Sequence, residues 1–309
     1  MDLIIKNLPI LIVITPLMFS LIVAVLPNQR HSWFLTNLAS LLTLLFSILL
    51  GIEVSEKNLI SYHLGNWPPP LGIEYIVDKV SIIPIFIIAV ISCLASSFAH
   101  NFFTSEVYNN LISKTYSLWL LTIAGLMGLV TTADAFNLFV FLEISSLSAV
   151  ALVAMGSKVD KKALVAGYNY LILGAIGATF YVIGVGLLYG VTGTLNMSDL
   201  SQKIPELGLN KSVIVAFTFM ILGIMVKAAI FPLHIWLPNA YAYAPSPVSI
   251  LLAATATKVA IYILARISFT IFGTSYDIYS FESLRYTLNK TANVVSDDNN
   301  NWVDKYSGY

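Results

Sequence analysis

Charged residues are scarce in this sequence of 309 residues, and neither sign of charge is in excess. Only 10% of the residues are charged, and 16 lysines and arginines balance 16 aspartates and glutamates. A soluble globular domain carries about 25% charged residues, and a protein that binds nucleic acid carries a basic surface. The composition therefore argues against an ordinary soluble domain and against a nucleic acid as partner.

Cysteine is almost absent, since Cys93 is the single one. One cysteine excludes an internal disulfide, and no CxxC or Cys/His cluster indicates an iron–sulfur or zinc site. The sequence also lacks a nucleophile elbow, a Walker loop and a haem-attachment pair. We therefore expect no metal ion, no cofactor and no catalytic residue in this chain, and leave open whether it serves as a subunit of a larger enzyme.

Long apolar runs are what the sequence has in abundance. Hydrophobic residues make up 58% of the chain, and its mean hydropathy is +0.83. A helix needs about 20 apolar residues to span a bilayer. The predicted fold class is therefore an all-α polytopic membrane protein with a retained first helix and about eight transmembrane helices. They lie near residues 8–26, 33–52, 80–99, 115–133, 135–155, 163–190, 211–231 and 247–272.

The polar connections predict two smaller elements. Residues 65–78 hold three consecutive prolines and then an alternating stretch, which predicts a short hairpin in the second loop. Residues 193–211 combine capping residues with an amphipathic pattern, which predicts an interfacial helix between the sixth and seventh spans. Asp134 precedes a helix start and is expected to cap it, whereas Arg266 is expected to face lipid headgroups.

The distribution of lysine and arginine predicts the orientation in the membrane. The connections on the two sides of the membrane hold equal numbers of lysines and arginines, but three lysines cluster in the short loop at residues 156–162. We therefore expect the N-terminus outside, in a plasma membrane. We divide the chain into N-terminal helices with an outer hairpin loop (residues 1–114), a unit of candidate proton-translocating helices (115–272) and a polar tail (273–309), which is expected to lie outside.

Glycines recur along the sixth predicted span. Gly184 and Gly186 form a GxG pair, but no soluble strand precedes it, so it does not indicate a nucleotide site. Gly186 and Gly190 have the spacing of residues that let two membrane helices approach closely.

Three ionisable side chains, Glu143, Lys227 and Lys258, interrupt apolar runs. A charge at bilayer depth costs about 2.5–3.5 kcal/mol on insertion scales, and such residues usually face a partner or a water-filled path. One carboxylate and two amines on neighbouring helices can neutralise one another and can pass protons. Structural alternatives remain open, because Lys227 could snorkel from a helix end, Lys258 could pair with a carboxylate, and Glu143 could clamp two helices together.

The seventh span is predicted to be broken. Pro232 follows Lys227 by five residues and is the first of four prolines in residues 232–247. A proline inside a helix removes a backbone hydrogen bond and clashes with the preceding turn, and broken backbone at membrane depth requires cover by protein or water. Lys227 should therefore lie beside a cavity. His234 lies in the same stretch, where it could relay protons or cap backbone carbonyl groups.

Three strings resemble one known family. They are GNWPPPLGIEYIVD (residues 65–78), LEISSLSAVALVA (142–154) and MVKAAIFPLHIWLPNAYAYAPSPVSILLAATATKVAIYILAR (225–266). They resemble the antiporter-like membrane subunits shared by respiratory complex I, membrane-bound hydrogenases and Mrp-type sodium/proton antiporters, with the greatest likeness to the D-type subunit of the Mrp antiporters. The resemblance covers most of residues 1–271.

The resemblance implies roles for the matching positions. Glu143 matches the glutamate of the family's fifth helix, Lys227 the lysine of the broken seventh helix with Pro232 at the break, and Lys258 the central lysine of the eighth helix. His234 matches the connection in the broken helix. The implied function is proton translocation within a multi-subunit Na⁺/proton antiporter, with other membrane subunits as partners. The alternative is a proton-pumping membrane-arm subunit of an NADH:quinone oxidoreductase or a membrane-bound hydrogenase.

The sequence departs from the family pattern in its length. The resemblance implies a protein of about fourteen helices built from two inverted five-helix units. This sequence contains only the first unit. The expected consequence is that the exit half of the proton path is supplied by another chain or is missing. If it is missing, the chain would be a shortened scaffold that does not transport.

Overall fold

The computed structural model describes residues 5–208 and 210–273 of the chain, and this part is mainly helical. Two strands form a hairpin between the second and third helices. The elements are α1 (Leu8–Val25), α2 (Gln29–Lys57), β1 (Leu59–His63), β2 (Glu74–Asp78), α3 (Ile82–Glu106), α4 (Ile112–Thr131), α5 (Ala135–Ala154), α6 (Lys162–Thr192), α7 (Met197–Glu206), α8 (Lys211–Lys227), α9 (Trp236–Tyr243) and α10 (Ser246–Arg266). The predicted polar tail, from residue 274 onward, lies outside the described residues.

Seven of the described helices, α1 to α6 and α10, are long and apolar enough to cross a membrane. The seventh predicted span is divided instead. Its first part, α8, has 17 residues, its second part, α9, has 8 residues, and residues 228–235 between them form an unwound stretch. The prediction of an all-α polytopic membrane protein with about eight spans and a broken seventh helix is therefore confirmed.

The helices pack out of sequence order. α1 packs against α4, α3 packs against α10, and the most extensive contact joins α6 to α8. Helices from before and after residue 114 thus lie against each other, and the proposed division of the chain at this residue stays a prediction. Residues of α4, α5, α6, α8 and α10 line a common interior.

Glycines bring α6 and α8 into close contact, although not the glycines that the sequence suggested. A Cβ atom on Gly184 of α6 would lie 2.6 Å from the carbonyl oxygen of Ala216 on α8. Gly223 of α8 similarly faces the backbone of α6. The prediction for Gly186 and Gly190 was wrong for the described part of the chain, since a Cβ atom at either would meet no atom of residues 5–208 and 210–273 within 4 Å. With 3.6 residues per turn, Gly186 points about 200° away from Gly184, and spacing alone did not identify the contact face.

The predicted hairpin is present, and it joins two other turns on the same face of the protein. Strands β1 and β2 are antiparallel, with His63 opposite Glu74. The backbone continues this pairing, because Ala133 N–H donates to the Glu74 carbonyl (2.9 Å) and Met197 N–H donates to the Ala133 carbonyl (2.8 Å). The hairpin, the α4–α5 turn and the α6–α7 turn therefore form one continuous strip of backbone, here called the hairpin strip.

A buried carboxylate ties the hairpin strip together. Glu74 is 7% exposed, and its Oε2 accepts a hydrogen bond from Asn196 Nδ2 at 2.8 Å. Its Oε1 accepts from the Ser61 hydroxyl at 2.5 Å. A buried polar group is tolerated when it is hydrogen-bonded, and the bond from Asn196, 122 residues away in the sequence, makes the position of the hairpin specific.

The predicted amphipathic helix between the sixth and seventh spans and the predicted cap are both present. The position of that helix at the membrane interface stays a prediction. α7 is N-capped by Asn196, whose side chain accepts from two backbone N–H groups. Its apolar side packs against the π-helical turn Ile267–Ile271 that follows α10. Asp134 caps α5, because its Oδ1 accepts from Asn137 N–H at 2.7 Å.

Arg266 does not face headgroups, and that prediction was wrong. Its Nη2 lies 2.7 Å from Asp78 Oδ2, and its Nε donates to the Tyr262 hydroxyl at 2.8 Å. Burial would raise the pKa of Asp78, but the backbone hydrogen bond from Ser81 and the charge of Arg266 outweigh burial and hold that pKa below its ordinary value. The ion pair joins the end of β2 to the end of α10.

Candidate functional site

The candidate site begins where α8 ends, in the middle of the broken span. Lys227 is the last residue of α8, and Ala229 has φ +53°, in the left-handed region. Ala229 N–H donates to the Val226 carbonyl (3.2 Å) and Ile230 N–H to the Met225 carbonyl (3.1 Å). These two bonds form a Schellman motif, which terminates helices.

The Schellman motif places the end of α8 five residues before Pro232. Pro232 lies inside the unwound stretch and is exposed. The local cause of the helix end is therefore the reversal at residue 229, and Pro232 prevents the helix from resuming immediately afterwards.

The Lys227 side chain is buried, with only 8% exposure. Its Nζ donates a short hydrogen bond to the Ser146 hydroxyl of α5. Gly174 on α6 leaves the space that this contact needs, because a Cβ atom there would lie 3.3 Å from Nζ and 3.1 Å from Ser146 Oγ. The ammonium is thus held between α5 and α6 rather than snorkelling toward a membrane surface.

A small cavity adjoins the Lys227 ammonium. The volume open to the centres of water molecules is about 30 Å³, and one water needs about 10–15 Å³ by this measure, so the cavity has room for about two. Its polar wall comes from α4, α5, α6 and α8, and its wall on α10 is apolar. The lining residues are Thr122, Leu126, Leu129, Leu142, Ser145, Ser146, Ala149, Tyr170, Ile224, Lys227, Leu252, Ala256, Ala260 and Ile263.

Glu143 lies one helical turn before Ser146 on α5 and is partly buried. Its charge acts on Lys227, but the two side chains do not form an ion pair within 4.0 Å. Within residues 5–208 and 210–273 the ion pairs of this length are Lys57–Glu53, His63–Glu74 and Arg266–Asp78. The structure therefore brings Glu143 and Lys227 into one site, with the Ser146 hydroxyl as the direct partner of the amine.

Lys258 does not reach this cavity. It is exposed on the surface of the described chain, and its Nζ donates to the Ala253 carbonyl of its own helix. Ala256 and Ala260, two residues to either side, line the cavity, so Lys258 points about 200° away from that face. A role for Lys258 after Lys227 in a relay stays a prediction.

His234 lies in the unwound stretch and also stays apart from the cavity. Its ring stands 5.6 Å from the Phe231 ring, and its Nδ1 is buried with no hydrogen-bond partner among the described residues. The placement fits neither a carbonyl cap through Nδ1 nor direct contact with Lys227.

Two aromatic residues at the site were not singled out from the sequence. Trp236 Nε1–H donates to the Val226 carbonyl at 3.0 Å. Its ring stacks on Tyr170, with ring centroids 4.2 Å apart and planes 6° from parallel. A buried tryptophan needs a partner for its N–H, so its position in the broken stretch was a usable signal. Nothing in the sequence distinguished Tyr170 from the other tyrosines of α6.

Comparison with known proteins shows which family this chain resembles. The family model described as "NADH:quinone oxidoreductase/Mrp antiporter, TM" matches residues 132–284. NADH-quinone oxidoreductase subunit N of Desulforudis audaxviator is 41% identical over 269 residues, which are 84% of this chain and 52% of that relative. The chain is similar to the membrane subunits of this family. The D-type subunit of the Na⁺/H⁺ antiporter of Bacillus subtilis is 32% identical over 268 residues, which are 86% of this chain and 53% of that relative.

Chains of two solved membrane complexes share this fold. A chain of the membrane-bound sulfane sulfur reductase, an archaeal respiratory membrane complex, matches with a TM-score of 0.81 and 33% identity, over 91% of this chain and 56% of that chain. A chain of the Mrp complex from Dietzia sp. DQ12-45-1b matches with a TM-score of 0.76 and 25% identity, over 87% of this chain and 49% of that chain. The chain spans about half the length of the curated relatives it matches.

Proposed function

We propose that this antiporter-like chain is the proton-translocating subunit of a multi-subunit Na⁺/proton antiporter in the plasma membrane, with its N-terminus outside. The observation that carries the proposal is the buried ammonium of Lys227, held at the end of a broken helix beside a cavity that has room for water. The Bacillus subtilis relative is named an Na⁺/H⁺ antiporter subunit, which supports sodium as the exchanged cation.

In the proposed mechanism Lys227 binds and releases the transported proton. The Ser146 hydroxyl holds the amine, the charge of Glu143 favours its protonated form, and burial favours its neutral form. These opposing effects allow a small change in the distance to Glu143 to drive uptake or release. The cavity supplies water through which the proton reaches the amine.

Lys258 is the proposed next acceptor, and the geometry sets a condition on that step. The α10 wall of the cavity is apolar, and Lys258 lies on the other side of the helix. A proton can pass from Lys227 to Lys258 only if α10 rotates or water enters beside Ala256 and Ala260. The step is therefore gated rather than continuously open.

Exchange in membrane vesicles that contain the whole complex tests the proposal. A dye that reports the pH gradient is quenched by respiration, and its recovery on adding NaCl measures exchange. Lys227→Ala should reduce the recovery to that of vesicles without the complex. Lys57→Ala is the matched control, because Lys57 is an exposed lysine whose side chain is 62% accessible. Normal exchange in Lys227→Ala, with the complex assembled, would refute the proposal.

A second candidate function is proton pumping in the membrane arm of a redox enzyme. It is favoured by the relative named NADH-quinone oxidoreductase subunit N, with 41% identity. Purification of the native complex separates the two functions. Flavin and iron in the purified complex, with NADH-driven proton uptake that needs no added cation, would favour the redox enzyme. A complex without either cofactor that exchanges Na⁺ for protons would favour the antiporter.

A further inference from the structure

Trp236 connects the two halves of the broken span through its side chain. It opens α9, is 3% exposed, and donates its indole N–H to the carbonyl of Val226 at 3.0 Å. Val226 is the residue before Lys227, and its carbonyl also accepts from Ala229 N–H in the Schellman motif. The indole therefore binds the last turn of α8 at the point where the candidate lysine is attached.

The ring of Trp236 also contacts a residue of the cavity wall. The Trp236 ring stacks on Tyr170 of α6, and Tyr170 lines the cavity beside Lys227. Gly174, one turn further along α6, is the residue against which Lys227 Nζ lies. A single side chain of α9 thus touches both the backbone that carries the lysine and the helix that the lysine faces.

The contact of Trp236 matters because the unwound stretch separates α9 from α8. Residues 228–235 are not helical, so no continuous helix couples the movement of α9 to that of α8. A displacement of α9 must therefore either break the indole–carbonyl bond and slide the ring over Tyr170, or carry the end of α8 with it. In both cases the surroundings of the Lys227 amine change.

We propose that Trp236 is a positioning residue that sets the depth of the Lys227 amine in its cavity and couples the amine to movement of α9. The inference rests on the proposed function, in which Lys227 carries the proton. It adds a residue that touches neither the proton nor the amine and acts through the backbone of Val226 and the ring of Tyr170.

The surroundings of Lys227 determine the direction of the effect. The titratable groups that face it are Glu143 on α5 and Tyr170 on α6, α4 contributes the Thr122 hydroxyl, and the α10 wall is apolar. A cavity loosened by loss of the indole bond admits more water, and water favours the charged ammonium. The pH at which transport is half-maximal should therefore move to a higher value.

Trp236→Phe tests the inference, because phenylalanine keeps a ring that can stack on Tyr170 and lacks the N–H donor. Trp33→Phe is the matched control. Trp33 Nε1–H also donates to a backbone carbonyl, that of Ser96, at 3.0 Å, and it does so between α2 and α3, away from the cavity. Both variants lose one indole–carbonyl hydrogen bond. Cation/proton exchange is measured in vesicles of the whole complex from pH 6 to pH 9.5.

The expected result is a shift of the half-maximal pH by about half a unit or more to higher pH in Trp236→Phe, with the midpoint of Trp33→Phe unchanged. Coincident pH profiles of the two variants would overturn the inference and would leave the proposed function intact, since that function is judged by Lys227→Ala. Normal exchange in Lys227→Ala would instead refute both the proposed function and the positioning role of Trp236.

A second variant decides the matter if Trp236→Phe does not assemble. Tyr170→Leu removes the ring on which Trp236 stacks and keeps the indole donor. It should shift the half-maximal pH in the same direction, because the indole loses the ring on which it stacks. An unchanged midpoint in Tyr170→Leu would contradict the positioning role.

Discussion

Replacement of Gly223 by alanine should destabilise the protein, whereas the same replacement at Gly186 should not. A Cβ atom on Gly223 would lie 2.7 Å from the backbone nitrogen of Tyr181 and closer still to the carbonyl oxygen of Gly177. These are backbone atoms of α6, which cannot move aside individually, so α6 and α8 must separate. Overpacking of this kind costs about 1–3 kcal/mol, and alanine recovers about 0.5–1 kcal/mol of helix propensity. The balance of these ranges is a net loss of roughly 0–2.5 kcal/mol, with a mid-range value of about 1 kcal/mol.

In the matched variant, Gly186→Ala, the added Cβ atom meets no described atom within 4 Å. Only the gain in helix propensity of about 0.5–1 kcal/mol remains. Thermal stability of the detergent-solubilised complex, followed by size-exclusion chromatography after heating, should therefore change in opposite directions in the two variants. Gly223→Ala should also impair exchange, because Lys227 lies one turn further along α8. A Gly223→Ala complex as stable as the unmodified one would refute the close contact between α6 and α8.

Two further predictions concern the helix end and the ion pair. Ala229→Gly should stabilise the protein by about 1 kcal/mol, since glycine accepts positive φ without a Cβ clash. The control Ala228→Gly should not stabilise the protein, because Ala228 has φ −74°. Thermal stability measurements check both variants. Asp78→Asn should cost about 1–3 kcal/mol at neutral pH by breaking the pair with Arg266. Because the pKa of Asp78 is lowered on folding, its stabilisation is complete above its unfolded pKa of about 3.9 and is lost as the pH falls through its folded pKa. The two stability curves should therefore converge below about pH 4, and parallel curves would contradict the pairing.

The elements that could be predicted from the sequence are those specified by local signals. Apolar run length located the spans, three prolines followed by an alternating stretch located the hairpin, and capping residues with an amphipathic pattern located α7. Asp134 was identified as a cap because short carboxylates accept hydrogen bonds at helix starts. Each of these signals lies within a few residues of the feature that it specifies.

The features that escaped prediction depend on direction or on distant partners. The spacing of Gly186 and Gly190 fits close packing as well as that of the contacting glycines does, and only the orientation of α6 separates them. Arg266 pairs with Asp78, which precedes it by nearly two hundred residues, and no local pattern marks that pair. The Schellman end of α8 was hidden because Ala229 occupies a position where glycine is the common residue.

The candidate site shows the same division. Glu143 and Lys227 could be selected because an ionisable side chain in an apolar run needs a reason to be there. The run itself does not say which way a side chain points, so the outward position of Lys258 was not foreseen. The position of Trp236 in the broken stretch was a usable signal, but nothing in the sequence marked Tyr170, which stacks on Trp236 from another helix.

The hairpin strip imposes an order on synthesis and insertion. Glu74 and its partner Asn196 are separated by 122 residues, and a ribosome that adds about 5–20 residues per second needs roughly 6–24 s to cover that distance. During this interval the carboxylate lacks one of its two donors and is best solvated by water, so the hairpin should remain undocked. The hairpin should therefore dock only after the sixth span has been synthesised.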